Sequence, residues 1–290
     1  MHIPEFLLPS DMSQRIRFRM PTVGDAITYS GHDPDNEQAA ISEYLDALQT
    51  GPVTTCRKWT DADRLTALWW VFIHSRIDPV MSFGYECDHC GEDHTFDLDL
   101  RDLGDDIHII DGKSCFEDVE ISVQGKPHIW RIQHLTGEAM ELLEGLKNGL
   151  PDVGEPGYQL NLMDFRLWEM VFQCELNDEI ETDYTRRADK RYELLRSMDI
   201  ESEFRVLAAC IKLLRDTTRH GLPVTTDKGV TRIAIKSHMC PHTQAKEAAE
   251  QRFTPMLLRF HPSGIVPRFE PGWLGEPFNQ PGHIWWPEHA

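Results

Sequence analysis

No stretch of this sequence stays apolar for the roughly 20 residues that a helix needs to cross a bilayer, and its first residues carry no charged-then-apolar leader. Neither a membrane span nor a secretion signal is therefore expected. Positive charge is scarce too: 29 Lys and Arg stand against 48 Asp and Glu, a net charge of −19. That balance argues against a global grip on nucleic acid, because phosphate binding needs clustered cations. Catalytic signatures are missing as well. There is no HExxH, no GxSxG and no glycine-rich phosphate loop. Carboxylates are so abundant that no pair stands out, so no catalytic residue is named and neither an enzyme nor a small-molecule substrate is expected. No unit repeats at the spacings of about 20–50 residues that mark repeat proteins. The seven cysteines are odd in number and irregularly spaced, which reads as reduced thiols in a cytosolic compartment rather than a disulfide framework.

What is present is a folded composition, 40% hydrophobic over 290 residues, enough to bury a core without staples. The most informative stretch runs from Ser82 to Leu100. Apolar residues alternate on either side of Cys87-Asp88-His89-Cys90-Gly91: Phe83 and Tyr85 before it, Phe96, Leu98 and Leu100 after it. Two thiols three positions apart, followed by a glycine that tolerates positive φ, form a zinc-ribbon-like knuckle between two strands. A redox role is set aside, because thioredoxin-like pairs sit at a helix N-terminus and this pair sits between strands. A zinc hydrolase is also poorly supported, since a knuckle site is coordinatively closed and leaves no position for water.

The fold class expected is α+β: helical regions around a small β-module that contains the knuckle. Residues 1–80 should supply an N-terminal strand, in which Ile16, Phe18 and Met20 alternate with Arg15, Arg17 and Arg19, and two amphipathic helices. One helix carries Ile41, Tyr44, Leu45 and Leu48 on a single face. The next opens with Thr60 and Asp63 in capping-box spacing and carries Leu65, Leu68, Trp69, Phe72 and Ile73. Trp69 and Trp70 read as core rather than as a sugar or base platform. Residues 81–147 form the β-module and a following helix. A hairpin is expected there, with Val119, Ile121 and Val123 on one strand, a turn at Gln124-Gly125-Lys126, and Ile129, Arg131 and Gln133 returning. Thr136 then caps a helix bearing Met140, Leu142, Leu143 and Leu146. The Gly- and Pro-rich residues 148–160 mark the best boundary. Residues 148–220 read as helical, with Cys174 and Cys210 as buried thiols beside helix faces and residues 183–198 as a charged, solvent-facing helix. Residues 221–262 hold a second knuckle-like β segment packing on 81–147. Residues 263–290, rich in Pro and Trp, read as an extended docking arm anchored by Trp273, Trp285 and Trp286.

The second knuckle completes the metal reading. A strand runs into His238-Met239-Cys240-Pro241-His242-Thr243, the layout of the first knuckle with Thr243 where a second thiol would stand. Structural zinc is the expected cofactor, held by Cys87, Cys90 and Cys240 with His238 or His242 as the fourth donor. Thiolate and imidazole favour zinc over hard cations. His94, four residues beyond Cys90, and Cys115 compete for the last position.

Several pieces together resemble the family of baseplate hub and tail-assembly proteins of T4-like contractile-tailed bacteriophages. They are Leu8-Pro9-Ser10 with its strand and Pro21-Thr22-Val23-Gly24-Asp25; Trp59-Thr60, Asp63-Arg64 and Ala67-Leu68; and Phe83, Tyr85, Cys87, Cys90 and Gly91. Weaker echoes are Gly125-Lys126 with Leu135-Thr136-Gly137, and Cys240-Pro241-His242 with Phe260-His261-Pro262. Thr243 and the long tail depart from the pattern. The resemblance implies a non-catalytic component of a phage tail baseplate, partnered by other baseplate and tail proteins and by copies of itself. It would sit in the virion tail and, during assembly, in the host cytoplasm. The rival expectation is a zinc-ribbon nucleic-acid adaptor using Arg15, Arg17 and Arg19.

Overall fold

The computed structural model describes residues 2–29, 34–227, 230–243 and 253–259. Its organisation follows from helix α3 (Asp61–Ser75), which starts where Thr60 caps it. The Thr60 hydroxyl accepts from the Asp63 N–H at 3.1 Å and donates to the Asp63 carboxylate at 2.9 Å. Asp63 is fully buried and also accepts from the Ser10 N–H at 3.0 Å and from the Ser10 hydroxyl. A carboxylate with no water must be met by several donors, and here they come from a turn 53 residues away.

That turn joins β1 (Phe6–Leu8) to β2 (Asp11–Ile16), an antiparallel pair. Ile16 and Phe18 point inward as their alternation requires, although the strand starts earlier than the sequence suggests. The segment read as a break, Pro21 to Asp25, instead enters the short helix α1 (Val23–Tyr29), where Thr22 and Asp25 cap each other reciprocally. Helix α2 (Glu37–Leu48) buries Ile41, Tyr44, Leu45 and Leu48 against α3, and α3 buries Leu65, Leu68, Trp69 and Phe72. Trp69 is core, its indole donating to the Leu100 carbonyl at 2.7 Å. The hairpin of β3 (Val80–Glu86) and β4 (Asp93–Asp99) lays Met81, Phe83, Tyr85, Phe96 and Leu98 on the same core.

A second core collects on β5 (Cys115–Val123), β6 (Lys126–Gln133) and β7 (Cys174–Leu176), ordered β5-β6-β7. It is covered by α4 (Gly137–Asn148), α5 (Tyr158–Phe172), α6 (Tyr184–Ser197) and α7 (Arg205–Thr217). Three expectations need correction here. The returning strand buries Trp130 and Ile132, both at 0% exposure, and turns Ile129 outward, because the turn takes only Gln124 and Gly125, so that Val123 pairs with Lys126 and Val119 with Trp130 on one face. The 148–220 region is not wholly helical: Cys174 lies on strand β7, though its thiol is buried, as expected, beside the end of α5. The charged helix α6 is not wholly solvent-facing: Arg191 is buried, its guanidinium donating to the Val171 and Cys174 carbonyls and pairing with Glu179 at 3.1 Å. The 148–160 segment joins two helices that pack on this one core.

The cores are welded through α4. The Asp61 N–H bonds the Leu135 carbonyl at 2.9 Å, the Gly137 N–H bonds the Trp59 carbonyl at 3.0 Å, and Glu141 holds the Arg57 side chain. After α7 the chain returns to α3. His220 Nε2 lies 2.6 Å from the Thr60 hydroxyl, and the Leu222 N–H donates to Thr66 Oγ1 at 3.1 Å. Gly221 fits only as glycine, because a Cβ there would fall 2.6 Å from Thr66 Oγ1 and φ is +75°. From this point β8 (Val224–Asp227), β9 (Val230–Met239) and β10 (Phe253–Arg259) form a sheet ordered β10-β9-β8. Leu222 and Ile233 rejoin the first core. The arm expected over 263–290 lies outside the described residues, among which no helix is long and apolar enough to cross a membrane.

Two outcomes follow. Asp63→Ala should lower the free energy of unfolding in urea by about 2–3 kcal/mol, because it strands the Ser10 amide and the Thr60 hydroxyl in a dry site; an unchanged midpoint would contradict this role. The second concerns acid. His134 meets the Thr218 hydroxyl at 2.7 Å and stands edge-on to His220, ring centroids 4.7 Å apart. Burial first, then His220 and Arg215, bring its pKa down from 6.5 to about 4. A histidine depressed in the folded state contributes in full above its unfolded pKa, and that contribution is lost as pH falls. The melting temperature should therefore fall between pH 6.5 and about 4, and His134→Gln should make that fall shallower. Parallel profiles would exclude the histidine.

Candidate metal centre

The first arm of the centre is the turn between β3 and β4. Their register runs from Val80 opposite Asp99 to Glu86 opposite Asp93, so the alternation that buries Phe83 and Tyr85 delivers the chain to Cys87 on the core side. The turn closes with the Gly91 N–H on the Cys87 carbonyl at 2.8 Å and the Cys87 N–H on the Glu92 carbonyl at 3.0 Å. Gly91 adopts φ +70°, the conformation that the knuckle reading requires. β4 then brings His94 back opposite Tyr85.

The second arm is the end of β9. The strand is gripped between β8 and β10 and anchored by Ile233; beyond Met239 it gives up Cys240 and turns through Pro241–Thr243. Thr243 is buried and satisfies the turn, its N–H and hydroxyl both donating to the Cys240 carbonyl at 2.9 Å.

The arms meet in two overlapping sets of donors. Cys87, Cys90, His94 and Cys240 present ligand atoms that all lie within 4.8 Å of one another. Cys90 Sγ and His94 Nε2 are 3.1 Å apart. Tetrahedral zinc with bonds of about 2.0–2.3 Å would place such donors some 3.5–3.8 Å apart, so the Cys90–His94 pair would open slightly while any wider pair closed in. Cys87 and Cys240 are buried at 1% exposure each, while Cys90 and His94 are half-buried. Three sulfurs with one imidazole are a donor set for a soft or borderline cation, and this cluster could hold one. The second set, Cys90, Glu92, His94 and His242, is likewise within 4.8 Å. In it His242 Nε2 lies 2.9 Å from Glu92 Oε2, and the rings of His94 and His242 are 5.6 Å apart.

The three sulfurs also act on one another. The Glu92 N–H lowers the Cys90 thiol, but burial and the sulfurs of Cys87 and Cys240 raise it by more. The net direction is upward. Three thiolates at such distances repel unless positive charge lies between them. Burial and the same three sulfurs also hold the Tyr85 phenol above its ordinary value.

The sequence-derived candidates are thus spread over several places. Cys87, Cys90 and Cys240 come together, and His94 stands with them. His242 joins Cys90 and His94 through the outer set. His238 lies on β9 opposite Thr254, its side chain outside the described ones. Cys115 begins β5 opposite Gln133 and belongs to neither set. Glu92 was missed by sequence reasoning; the only signal was its place two residues past Cys90. The arginines proposed for an adaptor surface are engaged with acids: Arg15 and Arg17 with Glu5, and Arg19 with Asp25.

Comparison of the chain with protein-family models, with curated proteins and with solved structures finds no match.

Cys240 is the buried donor by which the second arm reaches the knuckle, which sets a local expectation. Cys240→Ser should raise amide exchange over residues 230–243 and 80–99 while the second core keeps its protection. Equal protection in variant and parent would mean that the thiol contributes nothing to holding the arms together.

Proposed function

We propose that this chain is a non-catalytic structural or assembly component of a contractile phage tail baseplate, braced by one zinc ion on Cys87, Cys90, His94 and Cys240. The observation that carries the bracing is the convergence of a hairpin knuckle with a cysteine delivered by a separate sheet. Four protein donors leave no open position for water or substrate at that ion, which suits a clip better than a reaction centre. The tail assignment is supported by the sequence pieces that resemble baseplate hub and tail-assembly proteins. Several of these are structural pivots here: Ser10, Thr60, Asp63, Cys87, Cys90 and Gly91. The expected partners are other baseplate and tail proteins and further copies of the chain, meeting in a symmetric assembly.

Purified chain should contain about one zinc, the content of a four-ligand structural site. Peptide mass spectrometry of finished particles should detect the chain in the tail. A chain needed for tail formation yet missing from mature particles would be an assembly chaperone. Normal infectious tails formed without it would reject the assignment.

A further inference from the structure

We propose that a second, more weakly held divalent transition-metal ion binds at the solvent-facing side of this centre, on Glu92 and His242 with the Cys90 thiolate shared between the two ions. This deepens the zinc reading and rests on it.

The two donor sets overlap at Cys90 and His94, and the chemistry of the shared atoms decides how both can be filled. A single imidazole nitrogen donates one lone pair and serves one metal. A thiolate keeps further lone pairs after binding one metal and can bridge to another. With His94 assigned to the inner ion, Cys90 remains as the bridge, and Glu92 and His242 complete three protein donors for the outer ion. Its fourth position stays open to water or to a donor from a partner, the pattern of an exchangeable site.

The outer donors are already in place. His242 Nε2 and Glu92 Oε2 meet at 2.9 Å, although the residues are 150 positions apart. Their side chains are 55% and 63% exposed, and an exposed pair of this kind contributes little to stability. What brings them together is the approach of the two arms. The same exposure makes the outer position weaker than the buried inner one, because water competes for both the ion and its ligands. Mixed sulfur, imidazole and carboxylate donors suit Zn²⁺, Co²⁺ or Cu²⁺ rather than Mg²⁺ or Ca²⁺.

The test is a titration of the full-length, zinc-loaded chain with ZnCl₂, followed by native mass spectrometry, with Co²⁺ absorption as the second readout. The chain should arrive carrying one ion, accept a second, and release that second ion first to a weak chelator. The Glu92→Gln and His242→Ala variants should keep the inner ion while losing affinity for the second by about 10–100-fold, the scale of a lost contact at a metal site. Circular dichroism guards against misfolding, and both positions are exposed. A parent chain that saturates at one ion would overturn this proposal and leave the zinc clip standing, as would a second ion that binds equally well to the variants. A chain that retains no ion would overturn both.

Discussion

The buried carboxylate of Asp63 is the interaction on which the rest of this structure depends. It is dry, yet it draws donors from its own helix cap and from the Ser10 turn, and through Thr60 it reaches His220. Each partner belongs to a different part of the chain, so one side chain fixes the N-terminal hairpin, the start of α3 and the place where the chain returns from the second core. A buried acid is costly unless fully met. Here that cost is met by donors from segments far apart in the chain, so meeting it enforces long-range order.

The return at residues 220–222 carries the constraint forward to the metal centre. Gly221 presses against the first turns of α3, and its backbone exchanges hydrogen bonds with His108 in both directions. Leu222 and Ile233 then enter the first core, which aims β9 at the knuckle. Without this anchoring, bringing Cys240 to Cys90 would carry the full entropy of closing a very long loop, on the order of 4–5 kcal/mol by the scaling used for covalent cross-links. Protein packing has already met much of that cost, so an ion at the junction would lock a near-formed geometry rather than gather distant strands. The second core takes no part in this arrangement. It is tied to α3 through α4, and its own buried charge, Arg191, is answered within it by carbonyls and Glu179.

How much of this could be read from the sequence depended on range. Local patterns were legible: the Thr60 and Asp63 cap, the faces of α2 and α3, the alternation through the knuckle hairpin and the glycine with positive φ. The likeness of the two cysteine turns was enough to bring Cys240 to the first knuckle. A phase error arose at the turn between β5 and β6, which takes two residues, Gln124 and Gly125, rather than three, and a difference of one residue exchanges the inner and outer faces of a strand. Trp130 was overlooked for that reason. Arg191 was hidden because a run of charges reads as solvated, and only its carbonyl partners explain its burial. The contacts of Ser10 with Asp63, His220 with Thr60 and Glu92 with His242 join residues far apart in sequence, and no periodicity encodes them.

The field around the centre follows from the same composition that argued against nucleic acid. Glu86, Asp88, Glu92 and Asp93 flank the β3–β4 turn, while Asp99 lies at the far end of β4 and engages Arg101. A net charge of −19 would ordinarily oppose bringing three sulfurs together, because thiolates add to a potential that is already negative. The cysteines nevertheless converge, two of them fully buried. A cation held by this cluster would stabilise the thiolates inside and would itself be stabilised by the carboxylates of the turn.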